Sequence, residues 1–107
     1  MPAMSHPAFV ESVLHTWLEL RPSLSGVLIT SDLKRSSDGS KLGIEIQTQN
    51  HLALVEAWEH ATCLDITLHQ AGAESGTILV AGACAERSEI KARLLRLCNA
   101  LLPKVQT

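Results

Sequence analysis

The 107-residue chain predicts an α+β fold in two layers. The expected architecture is an antiparallel β-meander of about five strands, with an N-terminal and a C-terminal helix packed on one face. Three observations carry this expectation. Apolar residues recur at helical spacing near both ends of the chain. Between them lie short segments that alternate or run apolar, separated by turn residues. The length suits a single domain, 1–107, with one core and frayed ends at 1–6 and 104–107.

Pro7 fits the first turn of a helix, where a missing N–H costs nothing. Phe9, Val10, Val13, Leu14, Trp17 and Leu18 then form an apolar stripe, and Arg21-Pro22 ends it. Gly26 to Lys34 reads as a strand. Arg35 to Ser40 is turn chemistry, tightest at Asp38-Gly39. Leu42 to Thr48 alternates, with Leu42, Ile44 and Ile46 inward.

His51 to Gln70 reads as a hairpin turning at Glu59-His60-Ala61. On that turn, one face carries Leu52, Leu54, Trp58, Leu64, Ile66 and Leu68. The other carries His51, Ala53, Ala57, Cys63, Asp65, Thr67 and His69, with only Val55 and Glu56 breaking the sorting. This register sets His51 opposite His69 and Ala57 opposite Cys63. Residues 51–60 also fit a short helix, because Leu52, Val55 and Glu59 share helical spacing, as do Ala53, Ala57 and His60. The strand reading supplies a partner for Cys63 to Gln70. Thr77 to Ala83 is a continuous apolar run, expected to be a buried strand, with Gly82 marking a bulge or close packing. Glu86 to Leu102 is the second helix. Its stripe of Ile90, Leu94, Leu97 and Leu101 is widened by Leu95, Cys98 and Leu102, and Pro103 closes it.

Charge is uneven along the chain. Residues 1–84 hold nine acids and four bases, a balance of −5, whereas 85–107 hold five bases and two acids, a balance of +3. An acidic strand region of this kind either solvates the fold or meets a basic partner. Aromatic content of 3% argues against single-stranded nucleic-acid binding, which stacks bases on aromatic side chains. The start shows no secretion signal and no run reaches membrane-spanning length. Cys63, Cys84 and Cys98 form no CxxC and read as reduced, mostly buried thiols. The expected compartment is the cytoplasm, with no cofactor, nucleic acid or membrane partner.

Candidate chemistry is sparse. A cross-strand His51–His69 pair would offer two metal ligands, but a site needs three or four and no third stands at that end. Cys63 lies three residues after His60, yet acidic neighbours Glu59 and Asp65 would raise its pKa. No phosphate-binding glycine motif or Ser/His/Asp motif is present. The expectation is therefore a non-catalytic chain. Glu56, the one charge on the expected apolar face, would sit at the sheet margin or pair with Arg93 or Arg96.

The segment Val55 to Ile66, V-E-A-W-E-H-A-T-C-L-D-I, together with Trp17 and the leucine-rich closing helix, resembles a known family. It is similar to the small immunity proteins of contact-dependent inhibition and other polymorphic toxin systems, of the TriTu type. Trp17, Trp58, Glu59, Cys63 and Asp65 occupy matching places. The resemblance implies a protein that binds and neutralises the C-terminal domain of a cognate toxin. The surface it points to is the solvated sheet face and the hairpin turn: Glu45, Glu59, His60 and Asp65. If 51–60 were helical, the order of elements would instead look like a type III secretion chaperone that holds an effector segment as a homodimer. An interaction domain of another kind is the remaining reading, and the chain is expected to be a monomer or a homodimer.

Overall fold

The stripe from Phe9 to Trp17 folds as helix α1, Ala8–Leu20, with Phe9, Val10, Val13 and Trp17 buried. Leu18, expected in that stripe, points outward and is exposed. Arg21-Pro22 ends α1 as expected, and a single 3₁₀ turn, Arg21–Leu24, follows and buries Leu24. Five strands come next: β1 Leu28–Arg35, β2 Lys41–Thr48, β3 His51–Trp58, β4 Cys63–Gln70 and β5 Thr77–Val80. Helix α2, Arg87–Leu101, closes the order. The computed structural model describes residues 8–84 and 86–102. The expected frayed ends, and the roles given to Pro7 and Pro103, lie outside the described residues.

The strands form one antiparallel sheet in chain order, β1-β2-β3-β4-β5. The expected two-layer α+β meander is the fold observed, with both helices on one face. Residues 51–58 are strand, so the element order of a secretion chaperone is not adopted. The β1–β2 turn is held by Asp38. Its carboxylate accepts the Ser40 N–H (2.9 Å) and the hydroxyls of Ser40 (2.7 Å) and Ser36 (2.8 Å). These donors lower its pKa to about 2. Gly39 takes a left-handed φ of 77° there, as a tight turn requires.

The core lies between sheet and helices. From the sheet come Leu42, Ile44 and Ile46 of β2, Ala53, Val55 and Ala57 of β3, and Leu64 and Ile66 of β4. From the helix layer come Val10, Val13, Trp17, Leu24, Ile90, Leu94 and Leu97. This composition corrects the expected sorting of β3. The strand buries Ala53, Val55 and Ala57, and turns Leu52, Leu54, Glu56 and Trp58 to the open face. The reason is a slip of one residue. His51 lies opposite Gln70, Ala57 opposite Leu64 and Trp58 opposite Cys63. The connection takes in Thr62, whose φ of 43° lengthens the turn by one residue, and a slip of one inverts a strand's faces.

Three further expectations change with this register. His51 and His69 are not opposite each other and lie on different faces, so the supposed ligand pair does not form. Glu56 lies on the side away from α2 and pairs with Lys41 at 3.4 Å, not with Arg93 or Arg96. β5 is a short edge strand, not a buried one, and its Ile78 is 69% exposed. Gly82, at φ 98°, bends the chain just beyond it.

Candidate functional site

The sheet face turned away from the helices has no covering layer among the described residues. Central strand β3 presents Leu52, Leu54, Glu56 and Trp58 on it. Cross-strand neighbours follow from the register: Gln47 and His69 beside Leu52, Glu45 and Thr67 beside Leu54, Gly43 and Asp65 beside Glu56, Lys41 and Cys63 beside Trp58. Leu52 is 46% exposed, and Leu54 and Trp58 are half-buried by their neighbours alone. An apolar strip on a central strand, without a layer over it, is the kind of surface that marks an interaction site.

Carboxylates border the strip. Glu45 on β2 is salt-bridged to Lys34 at 3.2 Å. Glu56 and Asp65 stand directly opposite each other, an arrangement that like charges disfavour. Each has local compensation. Lys41 reaches Glu56 and also lies over the Trp58 ring, 5.1 Å from its centre. Asp65 accepts the Gly82 N–H at 2.9 Å and the Cys63 thiol at 3.3 Å. Burial, and then this contact with Asp65, push the Cys63 thiol pKa up. The thiol is therefore held as S–H, opposite to what a nucleophile needs.

The four residues singled out from sequence fall in three places. Glu45 and Asp65 share the open face, on either side of β3. His60 is exposed at the tip of the β3–β4 turn. Glu59, next to it, turns toward the helix layer. Its two carboxylate oxygens accept the backbone N–H groups of Phe9 (3.1 Å) and Val10 (3.0 Å). These are among the first N–H groups of α1, which lack partners within the helix. Glu59 thus caps α1 from across the fold, where its negative charge also meets the positive end of the helix dipole. We expect Glu59→Ala to cost about 1–2 kcal/mol, the usual worth of a capping side chain. In a domain of this size that lowers Tm by roughly 5–15 °C. Glu59→Gln, with one acceptor oxygen, should lose about half as much; thermal melts followed by circular dichroism check both.

Hydrophobic sorting assigns Leu52, Leu54 and Trp58 to the buried face, and Glu56 to its margin or to a base on α2, so it does not point to the four as one open surface. A concavity of about 820 Å³ opens at the end of the layers between Val27, Leu28, Thr48, His51 and Leu101. His51 Nδ1 is buried there without a hydrogen-bond partner among the described residues. None of the four expected site residues lines it. No helix among the described residues is long and apolar enough to cross a membrane. No group of three or more His, Cys, Asp or Glu residues that could hold a metal ion comes together among the described residues.

No protein-family profile, no curated protein and no solved structure matches this chain.

Proposed function

We propose that the chain is a protein-binding module whose open sheet face docks a basic protein domain, and that it acts as an immunity protein against a cognate toxin domain. The observation that carries this reading is the composition of that face. Leu52, Leu54 and Trp58 supply an apolar centre, and Glu45, Glu56 and Asp65 supply negative charge around it, offset in part by Lys34 and Lys41. Interfaces concentrate their energy in a few central apolar and aromatic anchors, while rim charges steer association. The opposed Glu56 and Asp65 carboxylates, compensated within the chain by Lys41 and by the Gly82 N–H, gain a further partner from a cationic side chain placed beside them. The resemblance of Val55 to Ile66 to immunity proteins points in the same direction, and most of its charged residues flank this face.

The test is capture of the partner from the native host, followed by co-expression of the captured domain with this chain. The expected result is a domain that arrests growth alone and is neutralised by the wild-type chain. Leu54→Arg should weaken that binding roughly thirtyfold or more, the loss expected from about 2 kcal/mol at a central anchor. Its stability should stay near wild type, because Leu54 is outside the core. Capture of a domain whose binding is indifferent to Leu54→Arg and to Trp58→Ala would sink the assignment of this face.

A further inference from the structure

The sheet has two edges of unequal quality. β5 is four residues long, whereas β1 runs for eight and ends the sheet with backbone groups that pair with no other strand among the described residues. The direction of those groups follows from the ladder. The Ser36 N–H donates to Lys41 O at 3.0 Å, so Ser36 belongs to a hydrogen-bonded pair with β2. Such pairs alternate along an antiparallel ladder. Lys34 and Asp32 therefore also bond inward, and Arg35, Leu33 and Ser31 direct their N–H and C=O groups outward.

We propose that this edge binds a second copy of the same chain, β1 against β1, in an antiparallel register centred on Leu33. A twofold axis normal to the sheet keeps both helix layers on one side and requires opposed residues to share a face. Centred on Leu33, the axis sets Leu33 against its own copy as a hydrogen-bonded pair. Ser31 and Arg35 form the outward pairs on either side. On the open face the same register sets Asp32 opposite Lys34 of the second copy, and Lys34 opposite Asp32 of the second copy. Both charge pairs are attractive, and each Lys34 then stands between Asp32 of the second copy and its own salt-bridge partner Glu45. Moving the axis by one residue sets Asp32 against Asp32 or Lys34 against Lys34, which like-charge repulsion opposes. The segment Asp32-Leu33-Lys34 is thus self-complementary in one register and repulsive in the registers beside it. A charged edge strand ordinarily resists pairing. Here each charge finds its opposite two residues along the same strand.

Two observations on the helix-facing side agree. Leu33 is 47% exposed, although the residue opposite it, Ile44, lies wholly in the core. The second copy supplies the missing apolar neighbour. The Ser31 hydroxyl is buried and has no hydrogen-bond partner among the described residues. The register brings Arg35 of the second copy to the place directly opposite it; one arm of that guanidinium is ion-paired with Glu11 of its own chain, which leaves its other N–H groups as donors. Beside Ser31 a groove lined by Leu18, Pro22, Leu28 and Ile29 lies where the register brings the turn that follows Arg35 of the second copy. The pairing uses the edge of the sheet and leaves the central strip of the open face uncovered.

Sedimentation equilibrium of the whole chain, over a concentration series reaching about 1 mM, tests the proposal. The wild type should dimerise reversibly. Asp32→Lys and Lys34→Asp should each weaken the dimer about tenfold or more, because each makes both cross-strand charge pairs repulsive. Mixing these two variants should restore association, since each supplies the other's opposite charges, and the double exchange should restore it within one chain. Leu33→Pro, which removes an outward N–H from an edge strand, should give a folded monomer by circular dichroism. A wild type that stays monomeric throughout overturns the proposal. So do single variants that dimerise like the wild type, or a mixture that fails to restore the dimer.

Discussion

Trp17→Ala should cost about 3–5 kcal/mol, the range for truncating a buried tryptophan. Trp17 is fully buried and is the largest wholly enclosed side chain of the core. It belongs to α1, which packs on β2, β3 and α2. The sheet beneath is built to receive bulk from above, since β3 offers it only Ala53, Val55 and Ala57. Those small residues would leave a cavity that neighbouring side chains fill poorly. A domain of this size has about 5–15 kcal/mol in total, so the variant should be marginally folded at 37 °C. Trp17→Phe separates packing from polarity. The indole Nε1 is buried and has no acceptor among the described residues, and an unsatisfied buried donor costs about 1–3 kcal/mol. Phenylalanine removes that donor and keeps most of the apolar contact. Its loss should be less than half that of alanine. Urea unfolding with a common slope for the three chains measures the difference; equal losses would show that the indole nitrogen does find a partner.

The same tryptophan illustrates what the sequence could disclose. Helical spacing placed Trp17 in the core with its neighbours Phe9, Val10 and Val13, and strict alternation placed Leu42, Ile44 and Ile46. These are local patterns with a fixed period, and the fold class follows from them. The faces of β3 were not legible by hydrophobicity. Sorting large apolar residues inward assigns Leu52, Leu54 and Trp58 to the core, and the strand does the opposite. The decisive residue is Thr62, which adopts a left-handed conformation that β-branched residues rarely take and that no neighbouring glycine or asparagine announces. A second signal was present and pointed correctly. Gln49 and Asn50 alone connect β2 to β3, so Thr48 and His51 flank a two-residue turn. That spacing sets Ile46 opposite Ala53 and Ile44 opposite Val55, and so fixes the buried face of β3 from β2.

The candidate site was legible in part for the same reason. Glu45 and Asp65 follow from alternation within their own strands. Glu59 does not, because its partners, Phe9 and Val10, lie some fifty residues away and are backbone groups without sequence signature. An acidic residue at a hairpin tip looks the same in sequence whether it meets a partner protein or the start of a distant helix. Glu56 is a charge out of place on the face that hydrophobic sorting would bury, and that anomaly is the trace of the inverted strand. A carboxylate that contradicts an apolar face is evidence about register before it is evidence about pairing.

Arg93→Ala should destabilise the domain by about 2–4 kcal/mol and loosen the open face from behind. The side chain is only 14% exposed. Its Nη1 donates to Leu64 O (2.8 Å) and Gly82 O (2.9 Å), and its Nη2 to Ala83 O (2.9 Å) and Glu89 Oε2 (2.8 Å). One guanidinium thereby fastens α2 to β4 and to the bend after β5. Hydrogen bonds to a charged group contribute roughly 1.5–3 kcal/mol each in isolation, but several on one side chain share its desolvation and do not add. Glu89 is about half exposed, so Glu89→Gln should cost under about 1 kcal/mol, and the carbonyl bonds carry most of the effect. Arg93→Lys should recover little, because an ammonium is a single point charge and does not span carbonyls on two segments. The consequence extends through the sheet. Gly82 accepts from Arg93 and donates to Asp65, so the arginine on the helix side helps to hold a carboxylate on the open side. Amide hydrogen exchange in 77–84 should rise in Arg93→Ala while the β2–β3 ladder stays protected. Uniform loss of protection across the sheet would instead mean that Arg93 supports the global fold and not this local clamp.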